Sequence, residues 1–399
     1  MMLSVAEARA RILAPVRATG VEVVALAEAW GRVAADDVMA RVDQPPADVS
    51  AMDGYAVRHG DAGPRRVVGA APAGHPFMGM VGTGEAVRLF TGSIMPDGAD
   101  CVVLQEDAVR DGEVVTLTVE PQAGRHVRRG GGDFRLGEVL VGAGTRLGAR
   151  GVGLVAAGNH AWVAVRRRPV VAILATGDEI GLPGEPIGAG GIVSSNAHAL
   201  AAFVRGRGGV AMVLPIARDT SEGVAAAAVA ARGADLLVTT GGASVGEHDL
   251  VQAGLGTQGF VLDFWKIAMR PGKPLISGRL GEMPVLGLPG NPVSALVCAV
   301  LFLGPMLERM QGMAGDAPAV SLARLGEALP ANDARADHLR ATLAVGNGGV
   351  LVATPMARQD SSMLRALHEA DALVVREPHA TAVVAGEEVS IIRLDTFGF

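Results

Sequence analysis

At 399 residues, with 49% hydrophobic and 19% charged positions, the chain has length for about two to four domains and enough apolar residues for a large core, which excludes general disorder. Its net charge of −6 and 3% aromatic content supply neither the basic field nor the stacking surfaces that nucleic-acid binding uses. Cys101 and Cys298 have apolar neighbours and no zinc spacing, and there is no HExxH, CxxC or complete P-loop sequence.

In chain order, MMLSVAEARARILAPVRA reads as an amphipathic helix with Glu7 in its first turns, without the apolar region and cleavage site of a signal peptide. The first 44 residues read as largely helical. Residues 45 to 145 carry short β-like runs (RRVVGA, EAVRLF, DCVVLQE, EVVTLTVE) separated by Gly, Pro and Asp, the pattern of a β-rich or α+β insertion. Residues 146 to 165 are expected to return beside the N-terminal part.

From residue 168 to 312 strands and helices alternate. RPVVAILAT, VAMVLPIARD, ADLLVTTGG and PVLGL are strand-like; SSNAHALAAFVRGRGG, TSEGVAAAAVAARGA and a long segment after GNP are helix-like. Thr220 is a hydroxyl cap, and Asn291 with Pro292 suits a helix start. This alternation predicts a doubly wound, mostly parallel sheet, whose ligands bind outside the carboxyl ends of the strands. The apolar run VSALVCAVLFL is about half a membrane span and is followed by Gly304 and Pro305, so a soluble, cytoplasmic protein is expected. AGDAPAV reads as a linker to a final β-rich region.

Acidic groups gather where these strands end: Asp178 and Glu179, Asp219, then Glu247 and Asp249 after the glycine-rich TTGGASVG. Two unit charges at 4 Å repel by about 4 kcal/mol at an effective dielectric near 20. A divalent cation turns that repulsion into binding, and Mg²⁺ joins one or two carboxylates to substrate phosphates. Lys266, Arg270 and Lys273 in FWKIAMRPGKPLISG offer cations for a phosphate or oxyanion. The helix start in LGLPGNPVSA offers free N–H groups. Upstream, Asp53 in VSAMDGYAV sits between apolar neighbours and needs a partner; Thr91 precedes a Pro-Asp-Gly turn, and Asp133 follows a glycine run.

Taken together, SAMDGYAV, FTGSIMPDGAD, RRPVVAILATGDEI, TTGGASVGEHD, AMRPGKP and GLPGNPVSA resemble, in content and order, the MoeA-type molybdopterin molybdenumtransferases. These are the molybdenum insertases, which include the gephyrin E domain. SVAEARARIL is similar to the family's opening helix. The resemblance implies a multidomain α/β chain. Residues 1–44 with 140–167 would form an elongated N-terminal linker domain and 45–139 a β-rich insertion. Residues 168–316 would form the doubly wound molybdopterin-binding domain and 317–399 a C-terminal β-barrel.

The implied reaction inserts molybdate into adenylylated molybdopterin with Mg²⁺-dependent release of AMP, giving molybdenum cofactor. The implied assembly is a cytoplasmic homodimer with shared active sites. It would exchange material with a molybdopterin adenylyltransferase and with enzymes that receive the cofactor, without nucleic acid or membrane. Carried over by motif, Asp53, Thr91, Asp133, Glu179, Asp219, Asp249, Lys266, Arg270 and Lys273 are the catalytic set, with Glu179 and Asp249 holding Mg²⁺. Thr176, Gly177, Asp178, Ser195, Asn196, Gly241, Gly242, Ser244, Gly246, Pro289, Asn291, Pro292 and Ser294 are the molybdopterin-binding set. Asp53 and Thr91 would approach from the partner subunit.

Three positions depart from the family pattern. Gly132 stands where Glu is usual, Ser194 where Asp is common, and Arg270 replaces a frequent Lys, exchanging a point donor for a planar fork. HLRATL and RQDSSMLRAL match in part, which brings in Arg340 and Ser361. Two other readings stay open: a molybdopterin adenylyltransferase, which resembles the central domain standing alone, and a molybdopterin-binding scaffold without turnover.

Overall fold

The computed structural model describes residues 2–241 and 250–395. The chain forms two compact units, one of Val23–Trp30 with Asp36–Ala164 and one of Met1–Glu22, Gly31–Ala35 and Val165–Phe399. Within the first 44 residues only α1 (Val5–Leu13) is α-helical. A capping box fixes its start: the Ser4 hydroxyl accepts from the Glu7 N–H and the Glu7 carboxylate accepts from the Ser4 N–H. The longer helix expected there gives way at VEVVA, which forms strand β1 (Val21–Ala25). Three β-branched valines in five residues, Val21, Val23 and Val24, favour the pleated form.

The unit containing Asp36–Ala164 is built on a six-stranded sheet, as the short β-like runs predict. Its strands are β2 (Gly54–Val57), β3 (Arg65–Ala71), β4 (Glu85–Leu89), β5 (Cys101–Leu104), β6 (Ala108–Asp111) and β7 (Val114–Leu117), in the order β5-β2-β4-β3-β7-β6. Both faces are covered. Tyr55, Val57, Ala86 and Val103 pack on one side, and Ala56, Val87, Leu89 and Val102 on the other, following the period-two alternation of strand side chains. Gly54 opens β2 where a Cβ would lie 2.0 Å from the Val103 carbonyl oxygen. Glycine is therefore required directly after Asp53, and the sheet holds that aspartate at its end.

The other unit carries the doubly wound sheet. Strand β8 (Val170–Ala175) leads to α2 (Asn196–Gly206), β9 (Val210–Val213), α3 (Ser221–Ala230) and β10 (Leu236–Thr240). After α4 (Leu250–Gly256) come β11 (Phe260–Lys266), the two-residue β12 (Met269–Arg270), β13 (Pro274–Leu280) and β14 (Met283–Leu288). The sheet order is β9-β8-β10-β14-β13-β11; the first four strands are parallel, and β13 runs antiparallel to both its neighbours, β14 and β11. Alternate residues of β8 enter different cores: Val171 and Ile173 one, Ala172 and Leu174 the other. Strand β9 stops at Val213, short of the expected Asp219, and Pro215 with no N–H to donate lies two residues on. Thr220 caps α3 as its type predicts, its hydroxyl accepting from the Gly223 N–H.

The helix after the GNP turn runs as α5 (Pro292–Cys298), a π-helical turn (Ala299–Leu303) and α6 (Gly304–Met310). Pro305 does not stop it. The π turn absorbs the change in hydrogen-bond frame, with the Gly304 N–H donating to the Ala299 carbonyl. Pro292–Met310 is long and apolar enough to cross a membrane, yet it is mostly buried and forms the spine of the larger core. Burial pushes the Cys101 thiol up to about 12 and raises that of Cys298, as suits inert core thiols.

The C-terminal sheet closes on itself. Strands β15 (Ser321–Leu325), β16 (Ala336–Val345), β17 (Leu351–Pro355), β18 (Ala372–Arg376) and β19 (Glu388–Arg393) are ordered β16-β17-β15-β19-β18, and β18 pairs back onto β16. Leu325, Ala341, Ala353, Val374 and Ile391 fill the barrel. The short β12 joins from outside, parallel to β16, with Met269 opposite Ala336 and Arg270 opposite Asp337.

Candidate functional site

Because β8, β9, β10 and β14 are parallel, their carboxyl ends share one edge, and a cavity of about 840 Å³ opens there. Thr176, Gly177 and Glu179 reach it after β8, Asp219 after β9, Gly241 after β10, and Pro289, Asn291 and Pro292 after β14. Ser195 and Asn196 line it from the start of α2. Asp178 stands beside the rim, one carboxylate oxygen accepting from the Asp219 N–H at 3.2 Å. Ser294 is buried in α5 and is not among the lining residues. Gly242, Ser244, Gly246 and Asp249, with Glu247 and His248, lie outside the described residues.

Local sequence explains how the loops meet. Gly241 has φ +89°, and a Cβ there would stand 2.6 Å from the Thr176 carbonyl oxygen, so only glycine lets the two strand ends approach. Asn196 donates through one side-chain nitrogen to the Thr240 hydroxyl and to the Gly290 carbonyl, both at 2.8 Å. It thereby ties α2 to the ends of two strands. Asn291 occupies the N-cap position of α5 but does not cap it. Its amide instead donates to the Ser361 hydroxyl at 2.9 Å, and the Val293 N–H donates to the Ser361 carbonyl at 3.1 Å. The helix start is bound to the segment that brings Ser362 to the cavity. Sequence reasoning did not select Ile192 or Val193, which carry no motif, nor Ser362 and Pro274 as lining residues, although they lie in RQDSSMLRAL and AMRPGKP.

The donor set suits a metal shared with a ligand. Glu179 and Asp219 line one cavity, and the buried Thr176 hydroxyl beside them has no hydrogen-bond partner among the described residues. No three metal-ligating groups gather among the described residues. A cation here would draw its remaining ligands from water or substrate oxygens, as Mg²⁺ does.

The three cations of the basic stretch are not brought to the lining. Lys266 ends β11 with its ammonium 3.5 Å from the Trp265 ring centroid. Arg270 pairs with Asp333 at 2.7 Å and Asp337 at 3.1 Å. Lys273 is exposed, and its neighbour Pro274 is the residue of this stretch that lines the cavity.

Asp53, Thr91 and Asp133 belong to the other unit. One carboxylate oxygen of Asp53 accepts from the Thr91 N–H at 2.7 Å and from the Thr91 hydroxyl at 2.8 Å, supplying the partner its setting demands. These two donors hold the Asp53 carboxyl below the usual aspartate range. In Thr91→Val the hydroxyl donor is gone and the N–H remains. The Asp53 titration, followed by carboxyl-carbon NMR, should move up toward the ordinary value; an unchanged midpoint would mean the hydroxyl contributes nothing. Asp133 is exposed on a separate turn, its N–H donating to the Gln44 carbonyl at 2.9 Å.

Comparison with known proteins accords with this architecture. Residues 3–158 match the MoeA N-terminal region (domain I and II), residues 172–309 a probable molybdopterin binding domain, and residues 322–394 the MoeA C-terminal region (domain IV). The molybdopterin molybdenumtransferase of a Nostoc species is 33% identical over 386 residues, covering 94% of this chain and 88% of that one. The enzyme of the same name from Haemophilus influenzae is 33% identical over 401 residues, covering 98% of each. A crystal structure of the molybdopterin biosynthesis MoeA protein from Pyrococcus horikoshii superposes with a TM-score of 0.86 at 26% identity, covering 98% of this chain and 99% of that one. Agreement along the whole length, in sequence and in fold, means that the chain belongs to the MoeA family of molybdopterin molybdenumtransferases.

Proposed function

We propose that this protein inserts molybdate into adenylylated molybdopterin and releases AMP, and that Mg²⁺ assists. The observation that carries the reading is the cavity at the strand edge. It has two acids, a buried hydroxyl without a partner among the described residues and the starts of two helices around a space large enough for a nucleotide-linked ring. Ile180, Ile192 and Val193 give the same space an apolar wall on which a planar ring can lie.

Glu179, together with Asp249, would hold the cation, which neutralises phosphate charge when bound, and Asp219 on the same lining would position the nucleotide-linked pterin. Cleaving a phosphoanhydride depends on positioning and charge neutralisation, so no covalent nucleophile is needed. Asn196 and Gly241 fix the loops that frame the substrate, and Lys273 supplies a cation beside the rim. We further propose a cytoplasmic homodimer in which Asp53 and Thr91 of one subunit complete the cavity of the other. Their clamped, ionised geometry and their place in a separate compact unit support that role.

The competing adenylyltransferase reading makes the opposite demand on nucleotide. Supplied with molybdopterin, ATP and Mg²⁺, the protein should form no adenylylated product. Supplied with adenylylated molybdopterin and molybdate, it should stop releasing AMP on addition of a chelator and resume with Mg²⁺. Adenylyl transfer from ATP would contradict the proposal.

A further inference from the structure

Arg270 is placed where a cation of the active site is expected, yet its guanidinium is turned to the barrel. Its Nη2 donates to Asp333 at 2.7 Å, and its Nε lies 3.1 Å from Asp337, without hydrogen-bond alignment. Asp333 is also held by Arg335, at 3.1 Å through the side chain and 2.9 Å through the backbone N–H. Arg270 and Arg335 therefore face Asp333 and Asp337, and the Arg270 charge is met by carboxylates of the barrel side. Asp337 is largely buried, and that burial raises its carboxyl above the usual range, with Arg270 the largest opposing influence.

The backbone points the same way. Arg270 lies opposite Asp337 in the parallel β12–β16 pairing. The loop from Arg270 to Pro274 closes with the Ile267 N–H donating to the Lys273 carbonyl at 3.0 Å. At its middle Gly272, with φ +109°, leaves room for the Cys298 sulfur, which would stand 2.5 Å from a Cβ there. The far end of this loop is Lys273, followed by Pro274 at the cavity.

We propose that Arg270 is a positioning residue: with Asp333 and Asp337 it fixes the RPGKP loop to the barrel, so that Lys273 is the cation this loop presents to an oxyanion. The planar fork matters because it spans two carboxylates set apart from each other, which a lysine ammonium would not do. This inference rests on the proposed reaction only for its kinetic readout.

The experiment compares wild type, Arg270→Lys, Asp337→Asn and the double variant. Molybdate-dependent AMP release should show KM for molybdate raised about fivefold in each single variant, with kcat nearly unchanged, as fits partly exposed ion pairs. The double variant should be no worse than the poorer single. If Arg270 itself binds the oxyanion, Arg270→Lys stays near wild type and Asp337→Asn, by freeing the guanidinium, lowers KM; that pattern overturns the proposal. Amide hydrogen exchange over residues 267–274 needs no turnover. It should quicken in Asp337→Asn, and exchange as in wild type overturns the proposal whether or not the protein proves to be an insertase.

Discussion

Glu179→Gln is expected to lower molybdate-dependent AMP release by about 100-fold while leaving the fold intact. Glu179 is exposed at the cavity, and no hydrogen bond or ion pair of its carboxylate is found among the described residues, so its charge has no visible structural task. The substitution keeps shape and removes only the charge. Surface changes of this kind stay within about 0.5 kcal/mol of wild-type stability. If Glu179 ligates Mg²⁺, the concentration of Mg²⁺ needed for half-maximal rate should also rise by about tenfold. Normal turnover with an unchanged Mg²⁺ requirement would remove Glu179 from the site. Asp219→Asn provides the companion measurement, since among the described residues Asp219 is engaged through its backbone N–H and not through its carboxylate.

Arg340→Met is expected to destabilise the protein by about 3 kcal/mol. Arg340 is 1% exposed, and its guanidinium meets carbonyl and amide oxygens. It donates to the Met363 and Arg358 carbonyls at 3.1 Å each and to the Gln359 side-chain oxygen at 3.3 Å. Gln359 returns a bond to the Arg340 carbonyl at 2.9 Å. Methionine fills similar volume but removes the donors to the Met363 and Arg358 carbonyls, while the Gln359 oxygen keeps the Arg340 backbone N–H at 3.0 Å. Lysine should recover little, because one ammonium does not reproduce the spread of a guanidinium. Chemical denaturation measures the loss; stability within about 0.5 kcal/mol of wild type would show that the segment finds other donors. The same segment carries Ser361 and Ser362, so the substitution should also weaken ligand binding at the cavity.

The central sheet and its loops are legible in the sequence because each step is local. Apolar runs of strand length, the Thr220 cap and the glycine at position 241 report their own geometry within a few residues. The resulting parallel order brings Glu179, Asp219, Asn196 and Pro289 to one edge as a consequence of topology. What is not legible is partnership across distance. Nothing near Arg270 announces Asp333 and Asp337 more than sixty residues later, and nothing near Asn291 announces Ser361. The motif alone sends Arg270 to the oxyanion, whereas the fold sends its side chain to the barrel.

The short return of Gly31–Ala35 is not legible for a related reason. The chain leaves one unit, returns to it for Gly31–Ala35, and leaves again, with no change of composition at any of these crossings. Within the first 44 residues, helix-like composition hides the valine-rich strand Val21–Ala25. The β propensity of its three valines wins there.

The central claim is most directly tested by mixing the purified protein with adenylylated molybdopterin and Mg²⁺ and measuring AMP with and without molybdate. The account predicts AMP release that depends on molybdate. AMP absent under every condition, or formed equally without molybdate, would contradict it.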